Sequence, residues 1–179
     1  VEQRRVVLVR AVNVGGTATL PMALWRDLAA SLGASDIVTY IASGNMVCSV
    51  PGDGQAFDRG LEQAVEQRCG FFRGVVSRTP QEVAAALEQH PFEIVDPAFS
   101  YVCFLNAEPT EEAVAAAREL PTGEGRWHII GREMHLRYAR GAGRPQMSDA
   151  AIGRALGVSG TARNLRTVRR LIDLAGRTP

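Results

Sequence analysis

No lysine occurs among the 179 residues; all 20 basic residues are Arg. A Schiff-base lysine, a P-loop lysine and a lysine general base are therefore excluded, and codon bias in a GC-rich genome is a sufficient origin for the absence. Cysteine is scarce: Cys48, Cys69 and Cys103 are odd in number, far apart and without a C-x-x-C. That excludes a disulfide framework and reads as buried, reduced thiols in a cytosolic protein, since no His lies near any of them in sequence. Long apolar runs are missing too. None reaches about 18 residues, so no segment reads as membrane-spanning. With Val1 first, the initiator Met is expected to be absent or trimmed. The first apolar stretch, Val6 to Val9, is too short for a signal-peptide core, so a cytoplasmic location is expected. There is no low-complexity tract and no repeat of fixed period.

What is present is ordinary globular composition, 46% apolar and 22% charged with 18 Gly and 9 Pro, which excludes disorder, collagen and a coiled coil. A chain of this length buries about 70% of its unfolded surface and needs no metal or disulfide staple. The formal net charge of +1 conceals an asymmetry. Residues 1–120 hold 9 Arg against 15 Asp and Glu, net −6; residues 121–179 hold 11 Arg against 4, net +7.

Hydrophobic periodicity predicts a buried strand over Arg4–Val12, broken by Asn13-Val14-Gly15-Gly16. Pro21 suits a first helical turn, and Met22, Trp25, Leu28, Ala29 and Leu32 recur at helical spacing up to Gly33. Strands over Asp36–Ala42 and Met46–Val50 flank the turn Ser43-Gly44-Asn45. A second helix carries Phe57, Leu61, Ala64 and Val65, and a fourth strand spans Arg73–Arg78. The order βαββαβ is the ferredoxin-like unit. Beyond it the pattern gives a helix from Pro80 and a strand over Ser100–Asn106. A helix capped by Thr110, a hairpin over Arg126–Tyr138, a helix capped by Ser148 and a last helix capped by Asn164 follow. The expected architecture is α+β: a ferredoxin-like subdomain over residues 1–79 joined to a second, smaller α+β subdomain over residues 80–179, with hairpin 126–138 and C-terminal helices.

Topology locates a candidate site. In this unit the third strand lies antiparallel between the first two, so the loops after strands one and two share one end of the sheet. Asn13 to Gly16 and Ser43 to Asn45 should converge there, beside the first helix N-terminus. Glycine amides and a helix N-terminus favour an anion, to which Arg10 adds charge. The same residues also suit a purely structural role, in which glycines make tight turns and Asn side chains satisfy backbone groups.

The segments Arg10-Ala11-Val12-Asn13-Val14-Gly15-Gly16 with Pro21-Met22, and Thr39-Tyr40-Ile41-Ala42-Ser43-Gly44-Asn45, resemble the R-G-I-N-V-G-G…M and T-Y-I-Q-S-G-N of the bacterial family known as domain of unknown function 1697. Pro91-Phe92 is similar to its N-P-F, with His90 in place of Asn. Thr161-Ala162-Arg163-Asn164 with Thr167-Val168 is similar to its T-x-R-N-x-x-T-V. The resemblance implies a ferredoxin-like subdomain joined to a second α+β subdomain, and no established activity. It raises Arg10, Asn13, Gly15, Gly16, Ser43, Gly44, Asn45, Arg163, Asn164 and Thr167 as binding candidates, since polar side chains recurring in loops serve binding more often than packing. Arg144, in the Gly143-Arg144-Pro145-Gln146-Met147 segment similar to the family's G-R-S-K-L, joins them. There Pro145 and Gln146 replace the family's Ser and Lys, and Thr17 stands where a Lys is common.

Across the Gly131-Arg132 turn, His128 is expected opposite His135 and Arg126 opposite Arg137. Trp127, Ile129, Met134, Leu136 and Tyr138 lie on the opposite, core side. The flanking arginines disfavour a metal at the histidines, and the polar face is expected to be solvated or turned toward a ligand. No cofactor is implied. Three readings remain. The first is an anion-binding module for a phosphate-bearing ligand, nucleotide or nucleic acid, engaging the basic C-terminal third. The second is a small-molecule enzyme with a site between the subdomains, using Ser43, Asn13, Asn45 and Arg163 for positioning. The third is a structural or interaction protein in which the motifs fix turns and the oppositely charged segments attract each other.

Overall fold

A computed structural model describes residues 1–139 and 145–177. The element order is β1 (Glu2–Val9), α1 (Met22–Ser31), β2 (Ser35–Tyr40), β3 (Asn45–Pro51), α2 (Gly54–Cys69), β4 (Val75–Arg78), α3 (Pro80–Glu88), β5 (Ser100–Leu105), α4 (Glu111–Arg118), β6 (Arg126–Ile130), β7 (Glu133–Arg137), α5 (Asp149–Leu156), β8 (Gly160–Asn164) and α6 (Leu165–Ala175). Two compact units result, Val1–Ala85 with Arg169–Pro179, and Ala86–Val168, so the chain passes from one to the other within α3 and again within α6.

In the first unit the sheet order is β2-β3-β1-β4. The apolar end of β1 is buried on both faces, and on one of them Val7 and Val9 join Trp25 and Ala29 of α1 and Phe57, Leu61 and Val65 of α2 in one apolar cluster. Trp25 repeats four residues before Ala29, and Phe57, Leu61 and Val65 repeat every fourth residue, which puts each set on one helical stripe. β4 is an edge strand, and α2 closes that edge with buried carboxylates one turn apart. Glu62 Oε1 accepts from the Val75 N–H at 2.9 Å and Asp58 Oδ2 from the Ser77 N–H at 3.0 Å. Arg59 donates to the Val75 carbonyl at 2.8 Å and pairs with Glu62 at 3.0 Å. Alternate strand residues present their N–H groups on one edge, so an i, i+4 helical pair matches an i, i+2 strand pair and leaves no open template for another strand.

The second unit differs from expectation. It is not a smaller, irregular α+β piece but a second ferredoxin-like βαββαβ unit of similar size, β5-α4-β6-β7-α5-β8, with sheet order β6-β7-β5-β8. The missing element in the sequence reading is β8. Its five residues Gly-Thr-Ala-Arg-Asn have no apolar alternation, and the strand is held by pairing with β5, as Val102 opposite Arg163 and Phe104 opposite Thr161. The hairpin has the expected register, with Trp127 opposite Leu136 and His128 opposite His135. Trp127, Met134 and Leu136 join Cys103, Leu105, Ile152 and Leu156 in the core.

The other hairpin face corrects a second expectation. His135 is buried instead of solvated, and its Nδ1 lies 3.0 Å from Nδ1 of His90, just past α3. One of these nitrogens donates and the other accepts, so the two rings hold opposite tautomers. Burial, and then repulsion from His90 and His128, pushes the His135 pKa down to about 4; burial lowers that of His90. Among the described residues no group of three or more His, Cys, Asp and Glu is placed to hold a metal ion. Nor is any helix among them long and apolar enough to cross a membrane. Cys48 and Cys103 are buried and Cys69 half-buried, all as free thiols, and burial pushes Cys48 up to about 12.

Two pH effects of opposite sign follow. Burial raises Asp58 to about 6, against hydrogen bonds from Ser77 and the charges of Arg5 and Arg59, which lower it. The folded state thus binds this proton more tightly than the unfolded chain. From pH 4 to pH 7 the wild type should lose about 2 kcal/mol relative to Asp58→Asn, read by urea unfolding at both values. His135 is depressed, so its contribution is complete above pH 6.5 and is lost as pH falls toward 4. His135→Gln should remove about 3 kcal/mol of that acid sensitivity, seen as a flatter Tm profile below pH 6.5.

Candidate functional site

The loops after β1 and β2 meet, as the topology requires. Val9 N–H donates to the Gly44 carbonyl at 3.1 Å, and the Asn13 side chain spans the two loops. Its Nδ2 donates to the Leu20 carbonyl at 2.8 Å and the Ala42 carbonyl at 2.7 Å, while Oδ1 accepts from the Leu20 N–H at 2.8 Å. The start of α1, the loop before it and the β2–β3 turn are thereby fastened by one amide. Val14 to Thr17 form a tight turn with Gly15 and Gly16 between them, at φ of 60° and 73°. Two successive positive φ values are the signature of a type I′ turn, which is why glycines stand there. Thr17 closes it, its Oγ1 donating to the Val14 carbonyl at 2.9 Å.

Backbone strain gathers at this end of the sheet. Ala11, Asn13, Ala18 and Ile41 all have φ near 50°, which L residues rarely adopt and which is an outlier for β-branched Ile. Gly44, at φ 86°, is required for space as well, since a Cβ there would collide with the Val9 side chain. Asn45 is fully buried and donates to the Tyr40 carbonyl at 3.0 Å and to Ser43 Oγ at 2.8 Å. Arg73 ties in from before β4, its Nε donating to the Ala11 carbonyl at 3.3 Å.

Seven of the candidate residues, Arg10, Asn13, Gly15, Gly16, Ser43, Gly44 and Asn45, therefore share this end of the first sheet. Once those engaged in holding the loops are set aside, three outward features remain. The Arg10 side chain is exposed, with no partner among the described residues. The Gly15 and Gly16 N–H groups have no acceptor among them either. Helix α1 starts at Pro21 with no side-chain cap and no acid in its first turn. By contrast Asp53, Thr110 and Ser148 cap α2, α4 and α5, Thr79 and Glu82 form a reciprocal capping box on α3, and Asn164 accepts from the Thr167 N–H at 3.0 Å on α6. The uncapped helix and the strained alanines gave no sequence signal: Pro at a helix start is common, and Ala11 and Ala18 do not announce a positive φ.

The other described candidates belong to the second unit. Arg163 and Asn164 end β8 and Thr167 sits in the first turn of α6. Arg163 is only 8% exposed; it donates to Thr161 Oγ1 at 2.6 Å and the Ala162 carbonyl at 2.9 Å, and burial lowers its pKa to about 10. It stays charged near neutrality but does not reach open solvent. Arg144 lies outside the described residues.

Because Asn13 makes three hydrogen bonds to backbone groups, Asn13→Ala should destabilise the fold by about 2–3 kcal/mol. Chemical unfolding checks this, and Asn13→Asp, which sets a carboxylate oxygen against the Leu20 and Ala42 carbonyls, should lose at least as much.

The solved structure described as "The structure of conserved bacterial protein SP0830 from Streptococcus pneumoniae" is similar in fold, with a TM-score of 0.73 at 18% identity over 98% of this chain and 99% of that one. No curated protein matches the chain. The model of the family described as "Protein of unknown function (DUF1697)" matches residues 3–135, which include both loop motifs of the first unit and exclude the Arg163-Asn164 segment. The chain, most of whose length that model matches, belongs to the DUF1697 family.

Proposed function

We propose that the protein is an anion-binding module that takes a phosphate-bearing ligand, nucleotide or nucleic acid, at the end of its first sheet. The observation that carries this reading is the uncapped N-terminus of α1 joined to the Gly15-Gly16 turn. Free N–H groups at a helix start and in a turn of positive φ both suit an anion, and the helix dipole adds to them. Arg10 supplies an exposed guanidinium from the same loop, able to grip phosphate through two parallel hydrogen bonds. The strain supports the reading as well, since strained backbone is retained where the surroundings hold it for a purpose.

A second reading draws on the hydrogen bonds of Asn13 and Asn45, which satisfy backbone groups. In that reading the motif builds the turn and nothing more, and the basic C-terminal block is answered internally. Arg166 pairs with Asp96 at 3.3 Å, and Arg170 lies 5.9 Å from the Tyr40 ring.

Arg10 separates the two. Exposed and without a partner among the described residues, it contributes little to stability. Arg10→Gln should leave Tm within about 1 °C and weaken pyrophosphate or single-stranded oligonucleotide binding at least tenfold, measured by calorimetry at low salt, with affinity falling as salt rises. Wild-type protein that binds neither probe at low salt would leave the structural reading.

A further inference from the structure

Outside the motifs, the second unit carries two adjacent arginines at the wall of a cavity. A cavity of about 500 Å³ is lined by Val95, Asp96, Phe99, Ser100, Glu124, Arg126 and Arg137 together with Gly123, Tyr138 and Ala139. Arg126 and Arg137 are direct cross-strand partners on β6 and β7, and Ser100 of β5 is the next residue across, opposite Arg137. The three side chains therefore share one face. Residues directly opposite have Cβ atoms about 5 Å apart, and like charges so placed repel. Neither guanidinium has a hydrogen bond or ion pair to any described residue. Two arginine forks without a partner among the described residues thus stand side by side over a cavity.

Two further observations point to a ligand. Ser100 is 1% exposed and its Oγ is buried without a hydrogen-bond partner. A buried hydroxyl left unsatisfied costs about 1–3 kcal/mol, so its presence in a cavity wall needs an account. Val95 and Phe99, on the same wall, are 68% and 37% exposed despite being large and apolar. A bare phosphate would use only the arginines. Of the two acids in the lining, Asp96 is engaged by the Ala98 N–H at 2.9 Å and by Arg166. Glu124 has no partner among the described residues and opposes an anion.

We infer that this cavity binds a small organic phosphate: Arg126 and Arg137 hold the phosphate group, and Val95 and Phe99 cover an apolar body attached to it. The site belongs to the second unit and does not depend on the reading given to the loops of the first.

Phenyl phosphate is a suitable probe, titrated into the ¹⁵N-labelled full chain with inorganic phosphate as the control lacking the apolar body. Amide shifts are expected at Ser100 and Arg137, with phenyl phosphate binding more tightly than phosphate. The Arg126→Gln, Arg137→Gln double variant should lose affinity at least tenfold while its Tm rises, because the cross-strand repulsion is gone. Glu124→Gln should tighten binding, Phe99→Ser should weaken phenyl phosphate alone, and Arg10→Gln should change nothing here. If wild-type protein shows no shifts at Ser100 and Arg137 at millimolar probe, or the double variant binds like wild type, the inference is overturned. Should the double variant unfold, Arg126→Gln alone decides the point, since Arg126 is exposed.

Discussion

One side-chain amide, that of Asn13, governs the end of the first sheet. A positive φ at Asn13 turns its own backbone, and its Oδ1 and Nδ2 then engage Leu20 and Ala42. With those three bonds made, the chain leaving β1 can fold back on itself, α1 can start at Pro21 without a cap, and the β2–β3 turn can close against Val9 through Gly44. Asn is suited to the position because its short polar side chain tolerates the left-handed region and offers both a donor and an acceptor. The neighbouring outliers at Ala11, Ala18 and Ile41 persist because the bonds of Asn13 over-determine the loops around them.

Both units use the same βαββαβ chain path and solve their edges differently. In the first, buried Asp58 and Glu62 meet the outer N–H groups of β4, at the cost of a carboxyl group held under-solvated. In the second, Arg118 stacks 3.8 Å from the Trp127 ring and donates to the Trp127 carbonyl at 2.7 Å, which covers part of edge strand β6. The basic excess of the C-terminal block is spread unevenly over the fold. Arg163 is buried in β8 and Arg166 is paired, while Arg126 and Arg137 stand adjacent with no partner among the described residues. Net charge per segment therefore says nothing about which guanidinium is engaged and which is exposed.

The first unit was legible because its signals are local and mutually consistent. The β-branched apolar run of β1, four-residue spacing in α2 and glycine at the turns each name their element, and the convergence of the two loops follows from strand order alone. Half of the second unit was legible in the same way, through the Gly131-Arg132 hairpin and the caps at Thr110 and Ser148. β8 was not. Gly160 to Asn164 carries no strand pattern, because an edge strand so short takes its conformation from its partner β5.

Sequence by itself determined every element type but that of β8, the register of the hairpin and the family, since each rests on neighbouring residues or on motifs read in order. It also placed Asn13 and Asn45 in turns. Only the tertiary structure decided that both amides are consumed by backbone groups, that His135 is buried against His90, and that Arg163 does not face open solvent. Each of these depends on a partner 5 to 45 residues away or on what covers a strand face, and a hydrogen bond or a burial is a property of the pair, not of the residue.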